Sequence, residues 1–355
     1  MATDRQNKSG RNKKIAIWCI TPGGIEISQK LLNNFRHLDV YASLSLETKI
    51  KKACAVNWFE ILSTAVAEKF RNYQAHIFIF ATGIAVRVIS SLLDNKMKDP
   101  GVVVIDDRGR FAISLVSGHL GGANLLAEKL ADCIQATPVI TTATDANKRP
   151  AIDMIAREKG LIIETPQNIK HINMLFLTAK KIKLYDPENH IKSTLGAQYW
   201  EDVSRKDIQK ADVYCAYTKM DVSRETLILR PQELIVGLGC NRGTSFADIY
   251  QFLSNMFHDH GLSIKSIRLL ATTRFKKNEK GFLMLSDALE VPLQFFENNA
   301  LGQVKDVPSP SSVVERHLGV KSVCEASAIL ASGNGRLIVT KKKNKDVTLA
   351  VAIKK

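Results

Sequence analysis

The chain has 355 residues, 45% hydrophobic and 24% charged, with 50 Lys and Arg against 35 Asp and Glu for a formal net charge of +15. This length supports two or three domains of roughly 100–200 residues each, and the composition excludes a disordered or fibrous chain. No apolar run reaches the roughly 18 residues of a membrane span, and the polar start MATDRQNKSGRNKK has no signal-peptide core, so a cytoplasmic protein is expected.

Residues 1–13 read as a basic flexible tail. Residues 1–14 hold Arg5, Lys8, Arg11, Lys13 and Lys14 against Asp4, and the remaining +11 is still basic. Such a balance suits a small polyanion or nucleic acid. Without interleaved basic and aromatic residues for base stacking, the polyanion is preferred, and solvated lysine faces are the plainer account. The six cysteines stand singly with no C-x-x-C pair, which indicates neither a zinc cluster nor a disulfide framework. Cys240 alone lies in a glycine loop before a helix, where a thiolate is favoured.

In chain order, Lys14–Ile20 reads as a strand and Thr21-Pro22-Gly23-Gly24 as a loop before a helical pattern at Ile25–Phe35. The loop lacks G-x-G-x-x-G spacing, so it gives weak support for a dinucleotide site. Asn57 with Glu60 fits a capping box for a helix whose Trp58, Ile61, Leu62, Ala65 and Val66 share a face. His76–Phe80 is a strand buried on both faces, followed by Ala81-Thr82-Gly83 and a small-residue helix bearing Arg87. That guanidinium suits a substrate carboxylate, with an ion pair to Asp94, Asp99, Asp106 or Asp107 as the alternative.

Gly101 to Asn124, GVVVIDDRGRFAISLVSGHLGGAN, reads as a hairpin turning at Asp107-Arg108-Gly109, then a glycine loop that opens a helix at Ala123–Ile134. Such a junction is expected to aim backbone N–H groups and the positive helix end at one spot. His119 lies there with Ser117, Gly118, Gly121, Gly122 and Asn124. A neutral imidazole beside those donors suits activation of water, the helix end disfavouring its charged form. The alternative is that the glycines serve only backbone angles and His119 only bridges the turn. Thr137–Thr142 is a further strand with Asp145 at its carboxyl end, where open α/β sheets place ligands, unless Asp145 merely turns the chain.

Repeated strand and helix patterns make residues 14–160 a doubly wound α/β domain. Residues 161–231, with strands at Lys181–Tyr185, Val213–Tyr217 and Leu227–Leu229, read as a small connecting α/β domain. Residues 232–355 read as a separate C-terminal α/β domain. There the strand Leu234–Leu238 leads into a second glycine loop with Gly239, Arg242 and Gly243, and Ser245 with Asp248 caps the next helix. After the strand Ile264–Ala271 comes the polar run containing Lys276 and Glu279, and Glu279 in a first turn answers the helix dipole. Ser322 with Glu325 fits a capping box, and Leu337–Thr340 with Val347–Ile353 a terminal hairpin.

These segments together resemble the CbiG proteins of anaerobic cobalamin biosynthesis. The likeness is carried by ATGIAVRVISSLLDNKMKDPGVVVIDDRGRFAISLVSGHLGGANLLAEKLA, TPVITTATD, IVGLGCNRG, KKNE, SVCEASAIL and TLAVA. It covers the two outer regions densely and the middle one weakly. The resemblance implies a hydrolase that opens the ring A acetate δ-lactone of cobalt-precorrin-5A and releases the bridging carbon with its methyl as acetaldehyde, giving cobalt-precorrin-5B. It implies no cofactor, because cobalt arrives in the substrate. The partners expected are that substrate and neighbouring pathway enzymes, with no nucleic acid and no membrane. On this footing His119 and Glu279 are the candidate catalytic residues. Gly83, Arg87, Ser117, Gly118, Gly121, Gly122, Asn124, Asp145, Gly239, Arg242, Gly243 and Lys276 are the candidate substrate contacts. A noncatalytic tetrapyrrole carrier and a basic nucleic-acid binder are the competing classes.

Overall fold

The computed structural model describes residues 14–49, 55–95, 98–305, 307–311, 315–316 and 319–354. The expected tail at residues 1–13, Cys54 and His317 lie outside them. The chain divides into two compact units, residues 1–154 and 155–355. Among the described residues no helix is long and apolar enough to cross a membrane.

The first unit runs β1 (Ile15–Cys19), α1 (Pro22–Leu32), β2 (Leu38–Ser43), β3 (Val56–Phe59), α2 (Leu62–Lys69), β4 (Ala75–Ile79) and α3 (Thr82–Ile89). It continues with β5 (Gly101–Ile105), β6 (Phe111–Val116), α4 (Ala123–Ile134), β7 (Thr137–Val139), α5 (Ala143–Ala146) and the start of α6 (Ile152–Glu158). The sheet order is β3-β2-β1-β4-β5-β6-β7. Alternate residues feed opposite faces. Ile17, Ile77, Ile79 and Val103 pack with Ile25, Leu31, Leu126 and Leu130 of α1 and α4, whereas Trp18, Phe78 and Val104 pack with Val66, Ala85 and Ile89 of α2 and α3. Burial on both faces explains the near-continuous apolar strands, as the doubly wound reading requires.

The β5–β6 hairpin is the feature that positions the site. β1 to β5 are mutually parallel, but β6 pairs antiparallel to β5, and β7 runs parallel to β6. Asp106 fastens the turn by accepting the N–H groups of Arg110 and Phe111, both at 2.7 Å. The chain after β6 and β7 therefore emerges beside the start of β5. Val116 pairs with Val102 at that end.

His76 is a satisfied core histidine. Trp18 Nε1 donates to its Nδ1 at 3.1 Å, and its Nε2 faces the Phe70 carbonyl at 3.0 Å. Burial lowers its pKa to about 4.

Several sequence expectations are corrected. Asn57 caps no helix: it lies in β3, paired with Tyr41, and its side chain donates to the Val40 carbonyl. Strand pairing along β2 displaces the local capping pattern, and α2 begins only after Ile61, which is exposed. The strand expected at Thr137–Thr142 stops at Val139, on the sheet edge where Pro138 costs no ladder bond.

The second unit holds two sheets. The first contains β8 (Ile162–Ile163), β9 (Ile182–Tyr185), β10 (Trp200–Asp202), β11 (Val213–Cys215) and β12 (Leu227–Arg230), in the order β10-β9-β11-β12-β8. The second contains β13 (Leu234–Cys240), β14 (Ile267–Thr273), β15 (Leu293–Phe296), β16 (Leu337–Lys343) and β17 (Val347–Ile353), in the order β15-β14-β13-β17-β16. Between the strands β13 and β14 runs Phe246–Asp259, whose start Ser245 caps by accepting the Asp248 N–H at 3.1 Å, as expected. The terminal hairpin forms as β16 and β17. The expected box at Ser322 does not. Glu325 is fully buried, and its carboxylate accepts the backbone N–H groups of Lys341 at 2.9 Å and Ser309 at 3.0 Å. These long-range bonds draw the carboxylate away from its own helix start.

Candidate active site

The loop from β6 to α4 is held by its own backbone. Gly122 N–H reaches the His119 carbonyl at 2.9 Å, Ala123 that of Ser117 at 3.2 Å and Asn124 that of Gly118 at 3.0 Å. The expected cradle of free N–H groups at the start of α4 is thus largely spent inside the loop. Gly121 is required for packing, because a Cβ there would strike Ser117. Gly122 caps α4 with φ +80°, a conformation open to glycine. The conformational role of these glycines is real, and it serves to present His119.

His119 stands between two carboxylates. Its Nε2 lies 2.7 Å from Asp145 Oδ2 and 3.2 Å from Thr144 Oγ1, and its Nδ1 lies 3.3 Å from Asp153 Oδ2. Asp145 is 43% exposed in its side chain and Asp153 only 5%. Asn124 locks the exposed carboxylate: it accepts from Ser114 Oγ at 2.6 Å and donates to Thr142 Oγ1 at 2.8 Å and to Asp145 Oδ2 at 3.0 Å. Ser117, with φ +55°, buries an Oγ that has no hydrogen-bond partner among the described residues.

The electrostatics reverse the sequence expectation of a neutral imidazole. The His119 pKa is raised, first by its hydrogen bond to Asp153; burial opposes this, and Asp145 adds to it. Two carboxylates at contact distance outweigh both burial and the helix end. The two carboxylates shift the ring toward its protonated form, which donates from both nitrogens and can act as an acid.

Sequence reasoning brought His119, Ser117, Gly118, Gly121, Gly122, Asn124 and Asp145 to one place, and the structure joins them. It missed Thr142, Thr144 and Asp153. For Asp153 a signal existed: a lone carboxylate inside the apolar run Ala151-Ile152-Asp153-Met154-Ile155-Ala156, all but Met154 buried.

Gly83 and Arg87 lie elsewhere. They follow β4, at the carboxyl ends of the parallel strands, whereas the His119 loop follows the reversed β6 at the other end of the sheet. The two are separated by the length of β5, about 15 Å. Arg87 is exposed, and Asp94, Asp99, Asp106 and Asp107 are engaged by other groups, Asp99 by Arg71 at 2.8 Å among them.

In the second unit the loop after β13 and the turn after β14 meet. Glu279 precedes the helix Lys280–Leu289 as its N-cap rather than in its first turn. Its carboxylate accepts the Gly243 N–H at 2.9 Å and faces Lys276 Nζ at 3.1 Å. Arg242 is exposed beside it, Gly243 has φ +79°, and Gly239 packs against Thr348. Burial raises the Cys240 pKa despite Lys276 nearby, so the thiolate expected there is disfavoured. Among the described residues no group of three or more His, Cys, Asp or Glu side chains is arranged to hold a metal ion.

The chain matches three family models end to end: cobalamin synthesis G N-terminal over residues 64–145, cobalamin biosynthesis central region over 150–231, and cobalamin synthesis G C-terminus over 234–352. It is 30% identical over 353 residues to the cobalt-precorrin-5A hydrolase of Priestia megaterium, covering 95% of this chain and 94% of that protein. It is likewise 30% identical to that of Salmonella typhimurium, covering 96% and 98%. A crystal structure of a cobalamin biosynthesis protein G homologue from Sulfolobus solfataricus covers 96% of this chain and 97% of that one, at 21% identity and a TM-score of 0.35.

Proposed function

Because the chain belongs to the CbiG family of cobalamin synthesis, we propose that it hydrolyses cobalt-precorrin-5A, opening the ring A δ-lactone and releasing the bridging carbon as acetaldehyde to give cobalt-precorrin-5B. The observation that carries the mechanism is the imidazole of His119 set against Asp145 at the exposed side of its cluster. Asp145, held by Asn124, takes a proton from the water that attacks the lactone carbonyl. His119 gives its Nε2 proton to the departing ring oxygen. The product is the ring A carboxylate and a carbinol on the bridging carbon. Removal of the carbinol proton then forms the aldehyde C=O as the carbon–carbon bond to the macrocycle breaks, its electron pair staying with the macrocycle. One acid and one base suffice, each contributing roughly 10²–10⁴-fold.

The substrate's many carboxylates explain a chain of net charge +15. Arg242 and Lys276, with the backbone at Gly239 and Gly243, remain candidate contacts within the second unit, Arg87 and Gly83 candidates at the far end of the first sheet, and Glu279 holds the Arg242 loop in place. The reading calls for no cofactor, since cobalt enters with the substrate, and for a cytoplasmic enzyme. The test is anaerobic incubation of the purified protein with cobalt-precorrin-5A, following acetaldehyde and product mass. Stoichiometric acetaldehyde with cobalt-precorrin-5B is expected, while tight binding without turnover would leave a carrier.

A further inference from the structure

His119 has more carboxylate than the acid–base pair needs. Asp145 faces Nε2 from the exposed side of the cluster; Asp153 faces Nδ1 from within, its side chain 5% exposed and out of reach of a substrate the size of a tetrapyrrole. A buried carboxylate is costly unless it is paired. Here it lies against a ring that is itself only 12% exposed.

We propose that Asp153 is a positioning residue that acts through His119: it keeps a proton on Nδ1, fixes the plane of the ring, and leaves Nε2 as the nitrogen that exchanges its proton with the substrate. The proposal rests on the reading of His119 as the acid. Its force comes from the asymmetry between the two carboxylates. A lactone and water arriving on the exposed side compete with Asp145 for Nε2, so that contact is broken or shared during turnover. The contact at Nδ1 is not. Asp153 therefore holds the ring oriented, with its proton on Nδ1, at the moment Asp145 is otherwise engaged. Among the described residues, Asp145 and Asp153 are carboxylates in contact with the ring, with the Thr144 hydroxyl and Asn124 as neutral neighbours of Nε2 and of Asp145. The raised pKa of His119, owed first to Asp153, agrees.

The test is nitrogen NMR of histidine-labelled protein without substrate, with steady-state rates in parallel. In the wild type the His119 midpoint should lie above the ordinary value of about 6.5, and the neutral ring should carry its proton on Nδ1. A neutral ring protonated on Nε2 overturns the proposal without any variant having to fold. In Asp153→Asn the midpoint should drop by about 1 pH unit or more, as for loss of an opposite charge in contact. The turnover number should fall about 10²–10⁴-fold, as when a buried aspartate behind a catalytic histidine loses its charge, with KM little changed. Asp153→Glu should recover part of both. An Asn variant whose His119 titrates as in the wild type overturns the proposal even if turnover falls. Wild-type turnover in His119→Asn overturns instead the reading on which it rests, whatever the titration does.

Discussion

Gly243 donates its backbone N–H to the carboxylate of Glu279 at 2.9 Å, tying the turn after one strand to the helix start after the next. Glu279 is also against Lys276 and only 9% exposed in its side chain, so each of its oxygens already has a partner. We expect Glu279→Gln, which keeps an acceptor for Gly243, to retain turnover within a few-fold. Glu279→Ala should lower stability by about 1–3 kcal/mol by orphaning that N–H and the Lys276 ammonium. Denaturant unfolding beside acetaldehyde release checks both. A hundredfold loss of turnover in the glutamine variant would give Glu279 a direct chemical role.

His119 sets the pH dependence of the proposed reaction. An acid must be protonated to work, so turnover should decline as pH rises through the His119 pKa, which lies above its ordinary value because of Asp153 and Asp145. His119→Asn should lose about 10²–10⁴-fold and flatten this alkaline limb. A wild-type rate that falls instead only on acidification would return His119 to the role of a base.

His76 makes a separate statement about stability. Its folded pKa is near 4 against 6.5 unfolded, so its contribution is complete above pH 6.5 and is lost as pH falls toward 4. That interval corresponds to about 3 kcal/mol. His76→Phe should start less stable at pH 7, because Trp18 Nε1 loses its acceptor, yet lose less on going to pH 4.5. Denaturant midpoints at the two pH values decide it, and equal losses in both proteins would refute the assignment.

The two arginines can be separated. Arg242→Ala should weaken substrate binding by about 1.5–3 kcal/mol if the guanidinium bonds a substrate carboxylate, with Arg242→Lys recovering part. Arg87→Ala carries the same expectation only if one substrate reaches both ends of the first sheet. Anaerobic equilibrium titration of both variants is the measurement, and wild-type affinity in either removes that residue from the binding surface.

How far the sequence announced this arrangement depends on the range of each contact. The strands of the first sheet, its hairpin and the His119 loop were legible because apolar runs, turn residues and glycines act locally. Asn57 and Glu325 misled for the same reason. Each fits a four-residue cap, but β2 and the amides of Lys341 and Ser309 compete from a distance and win. Asp153 went unseen because its partner lies 34 residues away. Grouping Arg87 with His119 came from treating every strand's carboxyl end as one end of the sheet, although the hairpin between β5 and β6 reverses the direction.

Ser114, His119, Asn124, Thr142, Asp145 and Asp153 belong to one continuous stretch of chain, begun by a tight hairpin. The cluster's contacts span at most 34 residues, whereas the β1–β4 pairing must gather segments about twice as far apart, and loop closure costs more as the loop lengthens. The histidine cluster can thus be assembled before β1, with β2 and β3, joins β4, and strain introduced at that far edge should slow folding before it disturbs the chemistry.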